Sequence, residues 1–138
     1  MNGIRYKIFK QYNLVIEKAE GQIEKADFIN MLSRLYKLDE YVGITRVLTD
    51  LRGVKLIYKM SDIDEIAAFI RTESNNPTMV YHAVLTDEPS LTAVSLIFQY
   101  AGKDIPDYSC KVFSTNSGAA KFLDLPLEVI EATILDIK

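Results

Sequence analysis

The run "TMVYHAVLTD", residues 78–87, limits what this chain can fold into more than any other stretch. It is apolar on both faces of an extended segment, and such a strand needs cover on both sides, as in a parallel sheet between layers of helices. Helical spacing on either side supplies that cover. In "SDIDEIAAFIRTES" (61–74), Ile63, Ile66, Ala67 and Ile70 share one face, and a second apolar helix, "PSLTAVSLIFQYAG" (89–102), follows the strand.

The same reading extends in both directions. "IRYKIF" (4–9) and "NLVIEKAE" (13–20) alternate around the polar "KQY" and predict an antiparallel hairpin. In "IEKADFINMLSRLYKL" (23–38), Phe28, Leu32 and Leu35 stack at helical steps, and the helix ends before Gly43. "TRVLTDL" (45–51) and "SCKVFST" (109–115) read as strands and "SGAAKFL" (117–123) as a short helix. The tail "LPLEVIEATILDIK" spaces Leu127, Ile130, Ile134 and Ile137 as a helix does, so 126–138 reads as a helical extension despite its β-branched residues. The order β-β-α-β-α-β-α-β-α predicts an α/β fold. Its sheet is mixed and mostly parallel, with an N-terminal antiparallel hairpin, helices packed on it and right-handed crossovers. At 138 residues the chain 1–138 fits one domain.

Composition removes several function classes. The net charge is −3 and the 16 Lys and Arg are scattered singly, so no nucleic-acid footprint is expected. Charge interrupts "MNGIRYKIFK" every second or third residue, and no run approaches the roughly 18 apolar residues of a spanning helix, so a cytoplasmic protein is expected. Cys110 is the single cysteine and His82 the single histidine, which leaves no structural zinc site and no internal disulfide. His82, in mid-strand, is expected to pack in the core, and Cys110 to be a small buried hydrophobe. The six glycines are isolated, so no phosphate loop forms and no cofactor is implied.

Candidate residues gather where parallel strands end, because the loops there share one edge and ligands sit in that crevice. "RVLTDLRGVKLIY" brings Asp50 and Arg52 to it, the next strand Asp87 and the last Thr115. Arg52 could hold a carboxylate or phosphate in its planar fork, oriented by Asp50 and aided by nearby helix N-termini. The plainer reading is a partly exposed ion pair shaping the turn at Gly53, contributing about 0–1 kcal/mol. Asp87 and Glu88 before Pro89 also read as helix-start chemistry. Ser61, with Asp64 at the third helical position, reads as an N-cap, and it is also the hydroxyl nearest a possible phosphosite. In helix 89–102, Thr92, Ser95 and Gln99 form a narrow polar stripe, while Leu96, Phe98 and Tyr100 belong to an apolar arc too wide for one core face. Those three residues are a candidate interaction surface, for a neighbouring helix, a second copy in a homodimer, a ligand or a membrane.

"VLTDLRGVKLIYKMSDIDEIAAF", "MVYHAVLTDEPSLTAVSLIFQYAG" and "CKVFSTNSGAAKFL" together resemble the STAS fold of bacterial anti-sigma-factor antagonists, above all its SpoIIAA-like branch of small bacterial proteins. The likeness covers roughly residues 4 to 123. Phosphoregulated STAS domains carry aspartate-leucine-serine-glycine after this strand and a phosphorylatable serine at the start of the next helix. Here Arg52 replaces the first serine, and "YKMSD" leaves Ser61 as the nearest hydroxyl to the second. The resemblance implies a binding protein without catalytic activity of its own. The expected function is a non-enzymatic module whose strand-end crevice holds a small amphiphilic ligand or a membrane surface. The alternative is a STAS-type regulator docking a protein partner, switched at Ser61.

Overall fold

A computed structural model describes residues 2–137. In chain order the described residues form β1 (Gly3–Phe9), β2 (Leu14–Glu20), β3 (Gln22–Glu24), α1 (Lys25–Leu35), β4 (Arg46–Asp50), β5 (Lys55–Ile57) and α2 (Met60–Glu73). After these come β6 (Val80–Leu85), α3 (Pro89–Ala101), β7 (Tyr108–Phe113), α4 (Asn116–Leu123) and α5 (Leu127–Asp136). The main sheet runs β1-β2-β4-β6-β7, antiparallel at β1–β2 and parallel elsewhere. This is the mixed, mostly parallel α/β architecture that the alternation of periods predicts.

The period-2 pleat divides the interior in two. Val15 and Ala19 of β2, Val47 of β4, Val80 and Val84 of β6 and Cys110 of β7 point to one side, where α1, α2 and α3 cover them. Leu14, Ile16, Leu48, Ala83 and Leu85 point to the other and pack under α4 and α5. β6 is buried on both faces because it lies between β4 and β7, with helices above and below.

Three local differences from the sequence reading have physical causes. β3 and β5 pair in parallel as a separate two-stranded ribbon that the sequence does not announce. At three residues each they are too short to display an alternation, and "IE" of β3 reads as the first turn of α1 although Ile23 is fully buried in the core. Helix α1 starts instead at Lys25, where the Asp27 carboxylate accepts the Glu24 N–H at 2.7 Å. It stops at Leu35 because the next turn tightens, Leu38 N–H bonding to Leu35 O at 3.1 Å. The tail is helical from Leu127 to Asp136, with Ile130 and Ile134 buried, so burial outweighs the poor helix propensity of its β-branched residues. Lys138, the end of the expected extension, lies outside the described residues.

Candidate functional site

At the carboxyl end of β4 the chain turns through Gly53, whose φ of 80° is a left-handed value that glycine adopts freely. Arg52 folds back on Asp50: Nε donates to Oδ1 at 2.9 Å, Nη2 to Oδ2 at 3.1 Å, and the Arg52 backbone N–H to Oδ1 at 3.1 Å. The partly exposed pair expected from the sequence is present, with its carboxylate buried. Asp50 is buried and Arg52 half-buried, and the hydrogen bond to Asp50 raises the guanidinium pKa still further. Arg52 thus directs one edge of its fork at its own chain. Thr115 is likewise engaged, its Oγ1 accepting the Gly118 N–H at 3.0 Å as the N-cap of α4. Asp87 is exposed beside Glu88, the cap residue before Pro89 of α3, in a shallow hollow shared with Thr86, Leu96 and Ser114. A wider groove lies across the N-terminus of α3, between that helix and the β3–β5 ribbon, and includes Lys55, Leu56, Ser90 and Val94.

Beneath α1, α2 and α3, a second arrangement emerges from the pleat. The inward-facing row of each central strand carries a polar residue between apolar ones: Glu17 between Val15 and Ala19, Thr49 between Val47 and Leu51, His82 between Val80 and Val84. Register aligns them, with Glu17 opposite Thr49 across the β2–β4 pair. Thr49 Oγ1 donates to Glu17 Oε1 at 2.6 Å and lies 2.7 Å from His82 Nε2. His82 Nδ1 in turn meets the Tyr108 hydroxyl from β7. While Glu17 is ionised, the single Thr49 proton is committed to it, so His82 Nε2 carries a hydrogen and Nδ1 accepts from Tyr108. Every donor then points one way, from Tyr108 through His82 and Thr49 to Glu17.

Burial governs the ionisation of this row. Glu17, 3% exposed, is pushed up to about 7 by desolvation, which the hydrogen bond from Thr49 partly offsets. Desolvation drives His82 down to about 4, so it is neutral at neutral pH, and it raises Tyr108 as well. Cys110 is buried as expected, its thiol pushed up to about 12 by burial, too high for a nucleophile at neutral pH. His82 therefore lies in the core, as its mid-strand position suggests, yet as the middle of a polar chain, with Phe98 and Tyr108 edge-on to its ring.

The chain borders a cavity of about 60 Å³. Its walls come from the sheet (Glu17, Thr49, His82, Val84), from α1 and α2 (Phe28, Leu32, Ile63, Ile66, Ile70) and from α3 (Val94, Ser95, Phe98). Two hydroxyls on the wall, Ser95 Oγ and Tyr58 Oη, are buried without a hydrogen-bond partner among the described residues, an arrangement native interiors rarely leave. Among the described residues, no lysine or arginine belongs to this wall. Leu56 and Val94 line both the cavity and the strand-end groove, so they form the partition between the two.

Helix α3 turns its polar stripe inward together with part of its apolar arc, Leu91 being 2% exposed. Its polar stripe faces the protein: Thr92 Oγ1 is 2.7 Å from Thr86 Oγ1, Gln99 Oε1 accepts the Val112 N–H at 3.2 Å, and Ser95 is 4% exposed. Leu96 and Tyr100 are left outside, 49% and 73% exposed, whereas Phe98 turns inward against His82. Ser61 is not the cap of α2. The helix begins one residue earlier, at Met60, and its first turn is closed by Asp62 Oδ2, which accepts the Lys59 N–H at 2.9 Å. Ser61 is exposed on that turn. Among the described residues, no three His, Cys, Asp or Glu side chains gather as metal ligands, and no helix is long and apolar enough to cross a membrane.

Comparison with solved structures places this architecture. A crystal structure of an uncharacterized DUF3478-family protein from Shewanella loihica PV-4, with a SpoIIAA-like fold, superposes with a TM-score of 0.57 over 89% of this chain and 95% of its own. The fold is SpoIIAA-like. At 18% identity the likeness extends to the fold alone. No protein-family model and no curated protein matches the chain. The signal that could have revealed the polar row was the single polar residue at the centre of each inward face, but it becomes legible only once the strands are in register.

Proposed function

We propose that this SpoIIAA-like domain is a non-catalytic binding module for a small amphiphilic molecule, and that the molecule lies in the cavity beneath α1–α3, with the strand-end groove as its way in. One observation carries the reading. The cavity wall is apolar except for a converging set of polar groups, and one of these, Ser95 Oγ, is buried without a partner. Binding suits the chemistry of the site better than catalysis does. While Glu17 is ionised, Thr49 donates its hydrogen bond to Glu17 and not to His82, so His82 does not act as a base on that hydroxyl. The strand-end residues Asp50, Arg52 and Thr115 already have protein partners, which moves the preferred site inward from the crevice.

Amide-resolved NMR during titration with short-chain amphiphiles tests this. Shifts should cluster at Glu17, His82 and Ser95, and Ser95→Leu, which fills the space, should abolish them while preserving signal dispersion. Shifts confined to Asp87 and Leu96, or none with any probe, would overturn the reading.

A second reading, a STAS-type regulator, draws on one feature. Ser61 is exposed on the first turn of α2 beside Met60, which is 65% exposed. A phosphate there would meet the positive end of the helix together with the nearby acids Asp62, Asp64 and Glu65. Mass spectrometry of the natively purified protein decides it: a phosphate on Ser61 supports the switch, and an unmodified Ser61 under all growth conditions removes it.

A further inference from the structure

We infer that the cavity selects a small apolar amine, held as its ammonium by the Glu17 carboxyl, over an alcohol or a carboxylic acid of the same size. This rests on the cavity being the binding site and specifies what it takes. Glu17 brings an ionisable acid to an apolar wall, and an unpaired buried carboxylate is costly unless a cation meets it.

Among the described residues, none of those lining the cavity supplies such a cation. The groups around Glu17 are Thr49 on β4, His82 on β6, Tyr6 opposite it on β1, and Tyr36, Tyr41 and Tyr108, whose electrostatics it affects. Tyr58 shares its cavity. Burial keeps His82 neutral, and the tyrosines for which burial matters are held in their neutral form.

An ammonium would complete this wall in three ways. It compensates the carboxylate, donates to the unpartnered Ser95 Oγ, and places its charge among the rings of Phe28, Tyr58 and Phe98. A carboxylic acid would instead set a second anion against Glu17. An alcohol could satisfy Ser95 but leaves the Glu17 charge uncompensated. The size is bounded too: at roughly 10–15 Å³ for each water-sized group, about 60 Å³ has room for about four to six such groups, so the amine carries only a short alkyl chain.

Three probes of similar size, n-butylamine, n-butanol and butyrate, separate the possibilities when titrated at pH 8 and followed by amide NMR. Butylammonium should bind about tenfold or more tightly than butanol, as a charge-assisted hydrogen bond warrants, with butyrate weakest. Glu17→Gln should bring the amine down to the level of the alcohol. A ¹³C titration of the Glu17 carboxyl in the parent gives a second readout: the amine should lower its midpoint and the alcohol should not. If alcohol or acid binds as well as the amine, or if the Glu17 midpoint does not move, the amine preference is wrong while the cavity remains a site. If no probe binds, or Ser95→Leu leaves binding intact, both the preference and the cavity reading fail.

Discussion

The two faces of the main sheet are built from alternate residues of the same strands and differ in kind. Under α4 and α5, Leu14, Ile16, Leu48, Ala83 and Leu85 meet Ala119, Ala120, Leu123, Ile130 and Ile134 in a mainly apolar layer, where the buried Thr133 of α5 bonds back to its own helix. Under α1–α3, the same strands present Glu17, Thr49 and His82 beside open space and two unpartnered hydroxyls. Hydrophobic burial at about 25 cal/mol per Å² stabilises both layers, but in the second the buried polar groups form a hydrogen-bonded row across the strands, beside a cavity. One face holds the fold together, and the other has room for chemistry.

Matched truncations test that contrast most directly. Ile130→Ala, in the apolar layer, should cost about 4 kcal/mol in urea unfolding, and Ile63→Ala, on the cavity wall, about 2 kcal/mol, because its surroundings are already incompletely packed. Equal costs would mean that the two faces are packed alike.

Glu17→Gln sharpens the comparison through pH. The Glu17 pKa is raised from 4.5 to about 7, so its contribution to stability is complete below pH 4.5 and lost as pH rises to about 7. The His82 pKa is lowered from 6.5 to about 4, so its contribution is present above pH 6.5 and lost as pH falls to about 4. Between these limits the two nearly cancel. The parent should be flat from about pH 4.5 to 6.5 and weaken above that. Glu17→Gln should gain stability up to pH 6.5, stay level beyond it, and exceed the parent at pH 8 by as much as roughly 3 kcal/mol. Coincident unfolding curves from pH 5 to 8 would show that Glu17 is not held near neutrality by burial.

Arg52→Leu comes next, at about 2 kcal/mol by thermal unfolding, because it strands the buried Asp50 carboxylate while solvent reaches part of the site. A near-zero change would restore the exposed-pair reading of the sequence. Ser61→Ala should be the smallest, within about 0.5 kcal/mol, since Asp62 rather than Ser61 closes the first turn of α2. A loss near 1 kcal/mol would return the cap to Ser61.

The sequence displays the strands and helices that repeat a period for several residues, and "TMVYHAVLTD" identifies the doubly covered strand without further help. It hides what depends on register. Glu17, Thr49, His82 and Tyr108 are separated by 32, 33 and 26 residues, and only the pairing of β2, β4, β6 and β7 makes them one hydrogen-bonded row. Asp50 and Arg52, two residues apart, were legible as a pair, but the burial of Asp50 was not, since it depends on packing from distant segments. The inward turn of the α3 polar stripe was hidden for a related reason. Its small polar side chains point inward because Thr86 and the Val112 N–H there offer them partners, and composition records neither.

The docking of α5 on the opposite end of the chain has a consequence during synthesis. Leu14 and Ile16 of β2 leave the ribosome well before Ile130 and Ile134, which complete their layer, and Lys7 waits equally long for Asp136, 2.7 Å away in the finished fold. At roughly 5–20 residues per second that delay is on the order of ten seconds, during which a nascent hairpin presents an uncovered greasy face to solvent or to a chaperone. Helix α5 is thus a seal applied late, and the growing chain is open to aggregation in the interval before it arrives.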